Sequence, residues 1–384
     1  MSRVHHHNNN NTEQMLLTLE QLNEFHRNGF VVVRNVFQKN DLEPLKKRVS
    51  TWINEVAIEL HNAGVLSKLY MDLPFDERLA AIEKEVPGIA ARMHVAKVVD
   101  DNKLSAGHLS QYWKESRDIW GHDNLLNLVE QCLETKDIAA HPVFNLRLRV
   151  PVEDEDYDVF HTVPYHQDQA YNLPESDHTC QIGAWIPLVN VNKEKMNGPM
   201  EFVKWQHHGE KILNHKNVSD GSWYLICDDV QFNEKINKNR FETVVPDVNI
   251  GDIILFNSWV PHRSLPNEYT STRISFDMRW QNANEPHGAF GGKLIQLRSE
   301  KNANFTIDWT NYLPKRAKIP RDENGKYVGR WGKPGKMKLL EEIFHRTGSA
   351  SDSVPIVGGK KREKELKYFK LLREGKINEQ GEPI

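Results

Sequence analysis

The sequence predicts a mainly β protein with flanking helices, its core a sandwich or jelly roll. Short β-like runs appear from His141 onward, at 143–150, 180–189, 200–204, 252–257 and 273–280. Polar connections containing Pro and Gly separate them, a texture that favours antiparallel layers over alternating βαβ units. No glycine-rich phosphate loop follows any run, which argues against a nucleotide-binding sheet. Upstream of His141, helical periodicity dominates.

In chain order, residues 1–14 hold His5-His6-His7 and four asparagines, and read as a low-complexity, flexible tail. Thr18-Leu19-Glu20-Gln21 has capping-box spacing, so a helix starts there and ends near Arg27, before Asn28-Gly29. The β-branched run Phe30 to Phe37 reads as a strand. Asn40 or Asp41 is expected to cap a long helix that carries Leu45, Val49, Trp52, Ile53, Val56 and Leu60 at helical spacing. Further helices are expected near 76–85 and 122–135. The segment 205–250 reads as a long polar connection, of the kind that carries specificity. Beyond about 305 the β pattern stops. Residues 313–335 are rich in Lys, Arg, Pro and Gly, 348–359 read as a loop, and 360–376 as a basic amphipathic helix packed on its own domain. The expected division is a tail at 1–14, a domain at 15–300 (helical part 15–140, jelly-roll core 141–285), and a basic, partly helical extension at 301–384.

The 384 residues are 39% hydrophobic with 10 Trp, enough for a sizeable core. Lys+Arg 50 against Asp+Glu 53 leaves a net charge of −3, which gives no global case for nucleic-acid or membrane-surface binding. Cys132, Cys180 and Cys227 are scattered without CxxC spacing, as in a reduced intracellular protein. No apolar run is long enough to span a bilayer and no signal-peptide core is present. A cytoplasmic enzyme of small molecules fits these bounds; they set no oligomeric state.

The chemistry centres on Tyr165-His166-Gln167-Asp168. In an extended segment His166 and Asp168 point the same way, and an imidazole beside a carboxylate suits a divalent metal once a third ligand is found. His262 is the candidate: an apolar strand, Gly251 to Phe256, runs towards it. The next strand alternates, with Arg273, Ser275, Asp277 and Arg279 on one face and Ile274, Phe276, Met278 and Trp280 on the other. Arg-x-Ser on such a strand suits a carboxylate. In isolation, Arg273 reads first as the partner of Asp277 or of a surface carboxylate. Asn145, Arg147 and Arg149 form a second polar face. If it points inward with Arg279, the guanidinium groups call for an anionic substrate.

Together these features resemble the phytanoyl-CoA dioxygenase-like family of Fe(II)- and 2-oxoglutarate-dependent dioxygenases, over roughly residues 16–285. The matching stretches are Leu19-Glu20-Gln21-Leu22, Asn28-Gly29-Phe30-Val31-Val32-Val33, Tyr165-His166-Gln167-Asp168, Trp185-Ile186-Pro187-Leu188 and Asn197-Gly198-Pro199-Met200-Glu201-Phe202, which leads to His207 in a structural loop. Gly251 to Phe256, His262, Ser264, Asn267 and Arg273 complete the pattern, Arg273 following His262 at the family's spacing. The resemblance implies a double-stranded β-helix (cupin-like jelly roll). It implies iron held by His166, Asp168 and His262, and 2-oxoglutarate held by Arg273 and Ser275 with Gln181 and Asn145 as further contacts. Arg147, Arg149, Trp259 and Arg279 are then the substrate side, while Tyr157, Phe160, Tyr171 and Asn172 flank the ligand pair. The implied cofactors are Fe(II), 2-oxoglutarate and O2, with ascorbate as reductant in vitro. The implied reaction is hydroxylation with release of succinate and CO2. Oxidative cyclisation or desaturation on the same iron is the alternative, and a non-catalytic jelly-roll binding protein the more distant one. Halogenases of this kind carry Gly or Ala at the carboxylate position, so Asp168 favours oxygenation.

Overall fold

The computed structural model describes residues 14–318, apart from 63, 95–96, 101–102, 152–161, 173, 206–211, 218–224, 290–292 and 311–316. The His/Asn tract, Tyr157, Phe160, His207, His208 and the expected helix at 360–376 lie outside the described residues. The helices are α1 (Leu19–Asn28), α2 (Lys39–Asn62), α3 (Phe75–Glu85), α4 (Ile89–His94), α5 (Lys114–Trp120), α6 (Asp123–Leu133) and α7 (Val230–Asn237). The strands are β1 (Phe30–Val33), β2 (Lys97–Asp100), β3 (Lys103–His108), β4 (Ile138–Ala140), β5 (Asn145–Arg149), β6 (Gln181–Pro187), β7 (Met200–Val203), β8 (His215–Asn217), β9 (Leu225–Cys227), β10 (Thr243–Val244), β11 (Ile253–Asn257), β12 (His262–Ser264), β13 (Arg273–Asn282), β14 (Ile295–Gln296) and β15 (Ala317–Lys318).

The capping box forms as its spacing predicts. The Thr18 hydroxyl accepts from Gln21 N–H and the Gln21 side chain accepts from Thr18 N–H. Gly29, at φ 80, closes α1 with its N–H on Phe25 O, a left-handed conformation that suits glycine. The long helix starts one residue before the expected caps. Lys39 is its first residue, and the Asp41 carboxylate reaches back to the N–H of Gln38.

The fold is a jelly roll. Its larger sheet runs β1-β11-β6-β13-β4-β14, with β5 also paired to β13, and its smaller sheet runs β10-β7-β12. All the paired strands in both sheets are antiparallel. Register sorts the side chains. Arg273, Ser275 and Asp277 stand opposite Arg149, Arg147 and Asn145, while Trp185 and Gly183 stand opposite Asp277 and Arg279. Residues directly opposite share a face, so this polar face lines the interior of the roll. The alternate residues Leu146, Leu148, Ile274, Phe276, Met278 and Trp280 are buried in the same apolar cluster as Leu45, Trp52, Trp120 and Leu125 of the helices. Burying each such side chain contributes about 2 kcal/mol. The helical layer thus fixes the outer face, and the inner face is left for chemistry.

Some elements differ from expectation. The 205–250 connection contains the hairpin β8–β9 and α7, whose N-cap Asp229 accepts from Phe232 N–H. The stretch after His262 opens as a strand, in which Arg263 and Ser264 pair with Glu201 and Met200. Past residue 300, Ile307 and Trp309 pack on the main core, and β15 pairs with β2. No helix among the described residues is long and apolar enough to cross a membrane.

Candidate metal centre and cosubstrate pocket

His166 and His262 are neighbours across a two-residue bridge, each N–H donating to the other's carbonyl at 3.0 Å. Gln167 between the first ligand pair is extended (φ −111, ψ 134), and Asp168 opens a short 3-10 turn. The i, i+2 relation therefore holds, and Gln167 serves the opposite side. Its backbone N–H donates to His215 Nε2, its Oε1 accepts from Leu213 N–H, and its Nε2 donates to Trp259 O. Tyr165 and Arg263, next to the two histidines, converge on Glu201 Oε2, and the Arg263 guanidinium lies 4.5 Å from the Tyr165 ring centroid. The two ligand-bearing segments are tied on both sides.

The donor atoms fit a metal. His166 Nδ1 lies 2.8 Å from Pro164 O and His262 Nδ1 lies 3.0 Å from Val260 O. A carbonyl only accepts, so both protons sit on Nδ1 and both Nε2 atoms present lone pairs. Ligand atoms of His166, Asp168 and His262 lie within 4.8 Å of one another, and all three residues are buried. Burial pushes His262 down to about 4, and the neighbouring His166 adds to the effect, so it is neutral and ready to ligate near pH 7. For Asp168, burial alone would raise the carboxyl. Arg279 first, then His166 and His262, outweigh it and hold the group well below the usual carboxylate range.

A cavity opens beside this triad. With His166 and His262, it is lined by Trp185, Met200, Phe256, Ser264, Arg273, Arg147, Val163, Asp277 and Arg279. Arg273 is 1% exposed; its Nη1 donates to Ser275 Oγ at 2.8 Å and its guanidinium lies 5.5 Å from the Trp185 ring centroid. Its side chain lies on the inner wall beside His166 and His262.

The remaining expected site residues fall in different places. Asn145, Arg147 and Arg149 face inward and are buried. Arg147 Nε donates to Asp277 Oδ2 at 2.7 Å, so Asp277 pairs with Arg147 and not with Arg273. Arg279 lines the cavity and is also paired within the chain: its Nε and Nη2 reach Asp168 Oδ2 at 2.8 and 2.7 Å. Gln181 sits away from the residues lining the cavity, in an amide cluster with Asn172, Gln281 and the His287 carbonyl. Trp259 is also outside that lining, its indole N–H held by Asp177 O. Tyr171 does flank the triad, with its ring 5.7 Å from that of His166, and its hydroxyl accepts from Leu225 N–H. Sequence reasoning offered Asp277 only as a partner of Arg273 and gave Glu201 and His215 no role; their partners come from distant segments of the chain.

A jelly roll that presents two Nε2 atoms and one carboxylate oxygen beside a buried arginine has the donor set of the non-haem iron class with open coordination positions. The chain belongs to the phytanoyl-CoA dioxygenase (PhyH) family, whose sequence profile matches residues 25–275. It is accordingly an Fe(II)/2-oxoglutarate-dependent oxygenase, with iron and 2-oxoglutarate as its cofactor and cosubstrate. It is 21% identical over 276 residues to the phytanoyl-CoA dioxygenase domain-containing protein 1 homolog of Caenorhabditis elegans, covering 66% of this chain and 87% of the relative. Among solved structures it is similar to the non-heme monooxygenase ThoJ in its apo form, at 16% identity and TM-score 0.43, over 86% of this chain and 98% of that one. It is also similar to the epimerase SnoN in complex with Fe3+, alpha ketoglutarate and nogalamycin RO, at 14% identity and TM-score 0.43, over 70% and 86% of the two chains.

Proposed function

We propose that this oxygenase hydroxylates an unactivated C–H bond of a small polar metabolite, with iron held by His166 Nε2, His262 Nε2 and Asp168 Oδ1. Arg273, oriented by Ser275 and the Trp185 ring, holds the distal carboxylate of 2-oxoglutarate. The observation that supports this reading is a cavity lined by His166, His262 and the buried Arg273, with an Asp168 oxygen within ligand reach of both histidines. Bound iron and 2-oxoglutarate supply the oxidising chemistry, consuming O2 and releasing succinate and CO2. The chain's own residues place and enclose it. The Pro164 and Val260 carbonyls fix the imidazole tautomers, Arg279 keeps Asp168 ionised, and Phe256 and Met200 exclude water from the cavity wall.

The expected anionic substrate is narrowed by the pairing inside the roll. Arg147 and Arg279 each meet a carboxylate of the chain itself, and Arg273 is assigned to 2-oxoglutarate. The cavity is thus near charge balance, and a substrate with at most one negative group suits it.

The test is succinate formation from 2-oxoglutarate with iron(II) and ascorbate. It is coupled to untargeted metabolite turnover by mass spectrometry, which separates gain of one oxygen from loss of two hydrogens. The expected result is a single-oxygen gain, abolished in Asp168→Ala and His166→Ala chains that keep their fold. Near-normal turnover in either variant would overturn the ligand assignment.

A further inference from the structure

We propose that Arg279 is a positioning residue for the metal ligand Asp168, reserving one carboxylate oxygen so that the other alone faces the metal. This rests on the metal centre proposed above and goes beyond it in naming what sets the carboxylate's orientation. Both contacts from Arg279, Nε at 2.8 Å and Nη2 at 2.7 Å, go to the same atom, Oδ2. Oδ1 is the oxygen left towards the histidines, 3.6 Å from His166 Nε2. The two side chains are 8% and 5% exposed, so water does not compete for Oδ2 and the charge-assisted bonds keep most of their strength.

The guanidinium is itself held. Nη1 donates to Val143 O just before β5. The Arg279 carbonyl accepts from His141 N–H and from the Trp120 indole N–H, while the Trp280 indole donates back to Trp120 O. Across β6 the facing residue is Gly183, which puts no side chain beside Arg279 on the inner face. β5 is paired to β13 only as far as Asp277, so the guanidinium turns past its end to reach Asp168. The orientation of Asp168 is thereby referred to the end of α5 in the helical layer, where Trp120 lies 159 residues away in sequence from Arg279.

The arrangement has a chemical consequence. A metal held by His166, Asp168 and His262 would need its other positions open for 2-oxoglutarate and O2. A carboxylate bound through both oxygens takes one of those places. By occupying Oδ2, Arg279 keeps Asp168 to a single one.

The experiment titrates Co(II) anaerobically into the full metal-free chain and into Arg279→Gln and Arg279→Lys variants, following the visible Co(II) absorption bands and the affinity. Circular dichroism and thermal unfolding of each metal-free chain are recorded alongside. The expected result is a tenfold to hundredfold loss of affinity in Arg279→Gln, the size of effect known for groups that orient metal ligands (about 10–100-fold), with altered bands. Partial recovery is expected in Arg279→Lys, whose ammonium keeps the charge but not the fixed pair of donors. A folded Arg279→Gln chain that binds within twofold of wild type with unchanged bands overturns the proposal. So does an Arg279→Lys chain that loses its fold without metal, since that marks a structural role only. If the wild-type chain binds no Co(II) stoichiometrically, the metal-centre reading itself fails; wild-type binding with insensitive variants removes only the role of Arg279.

Discussion

Arg273 and Asp277 lie four residues apart on the inner face of β13 and have opposite consequences when removed. Arg273 is buried beside Ser275 and Trp185 in a cavity with His166 and His262, so a carboxylate meeting it would be desolvated and tightly held. Arg273→Ala is expected to cost about 3 kcal/mol of 2-oxoglutarate binding, roughly a hundredfold in KM, with metal affinity unchanged. Steady-state kinetics in 2-oxoglutarate checks this, and an unchanged KM places the carboxylate elsewhere. Asp277 carries the counter-charge for Arg147, whose side chain is only 9% exposed and also donates to His94 Nε2. Removing one member of a buried pair leaves the other charge poorly compensated. Asp277→Asn is therefore expected to destabilise the metal-free chain by about 3 kcal/mol. Urea unfolding measures it, and a loss under about 1 kcal/mol means that Arg147 is neutralised by other groups.

Among the elements, the pairing of β6 with β11 controls the wall behind His262. A Cβ on Gly183 would lie 2.6 Å from the Phe256 ring, which fills the space its absence leaves. Phe256 and Phe202 in turn pack on His262, with ring centroids 4.9 and 5.5 Å away. Gly183→Ala forces the Phe256 ring towards the ligand imidazole. Overpacking of this kind costs about 1–3 kcal/mol, and the displaced histidine is expected to weaken metal binding as well. Thermal unfolding and a metal titration read the two effects separately; a variant with wild-type values in both shows that the ring yields in another direction. The same wall explains why β7 and β11, short as they are, place Met200, Phe202 and Phe256 around His262.

Over the whole molecule, what the sequence makes legible is set by the range of the interaction. His166, Asp168 and His262 are readable because ligand chemistry demands particular residue types, and an extended i, i+2 pair needs no tertiary information. The strands of the main sheet are readable from alternation, and α1 from Thr18 and Gln21. Arg279 reads as a substrate contact because its partner Asp168 is fixed only once β13 lies beside the 3-10 turn after Gln167. Gln181 reads as a ligand contact for the same reason, since its partners Asn172 and His287 come from separate loops. The hairpin β8–β9 is hidden because His215-Lys216-Asn217 is polar on both faces, although His215 is buried by tertiary packing. That packing leaves a global trace in acid. Burial pushes His141 down to about 3 and His215 down to about 4, partly opposed in each case by a hydrogen bond to a backbone carbonyl. Unfolded, both titrate near the ordinary value of about 6.5. Between these limits the unfolded chain binds more protons, so stability is complete above about pH 6.5 and falls as the pH drops. The expected slope is about 1.4 kcal/mol per pH unit for each histidine. Urea midpoints of the metal-free chain from pH 7.5 to 4.5 measure it, and His141→Gln is expected to flatten the curve by one histidine's share. A stability that stays level down to pH 4.5 contradicts the burial of these two imidazoles as neutral groups.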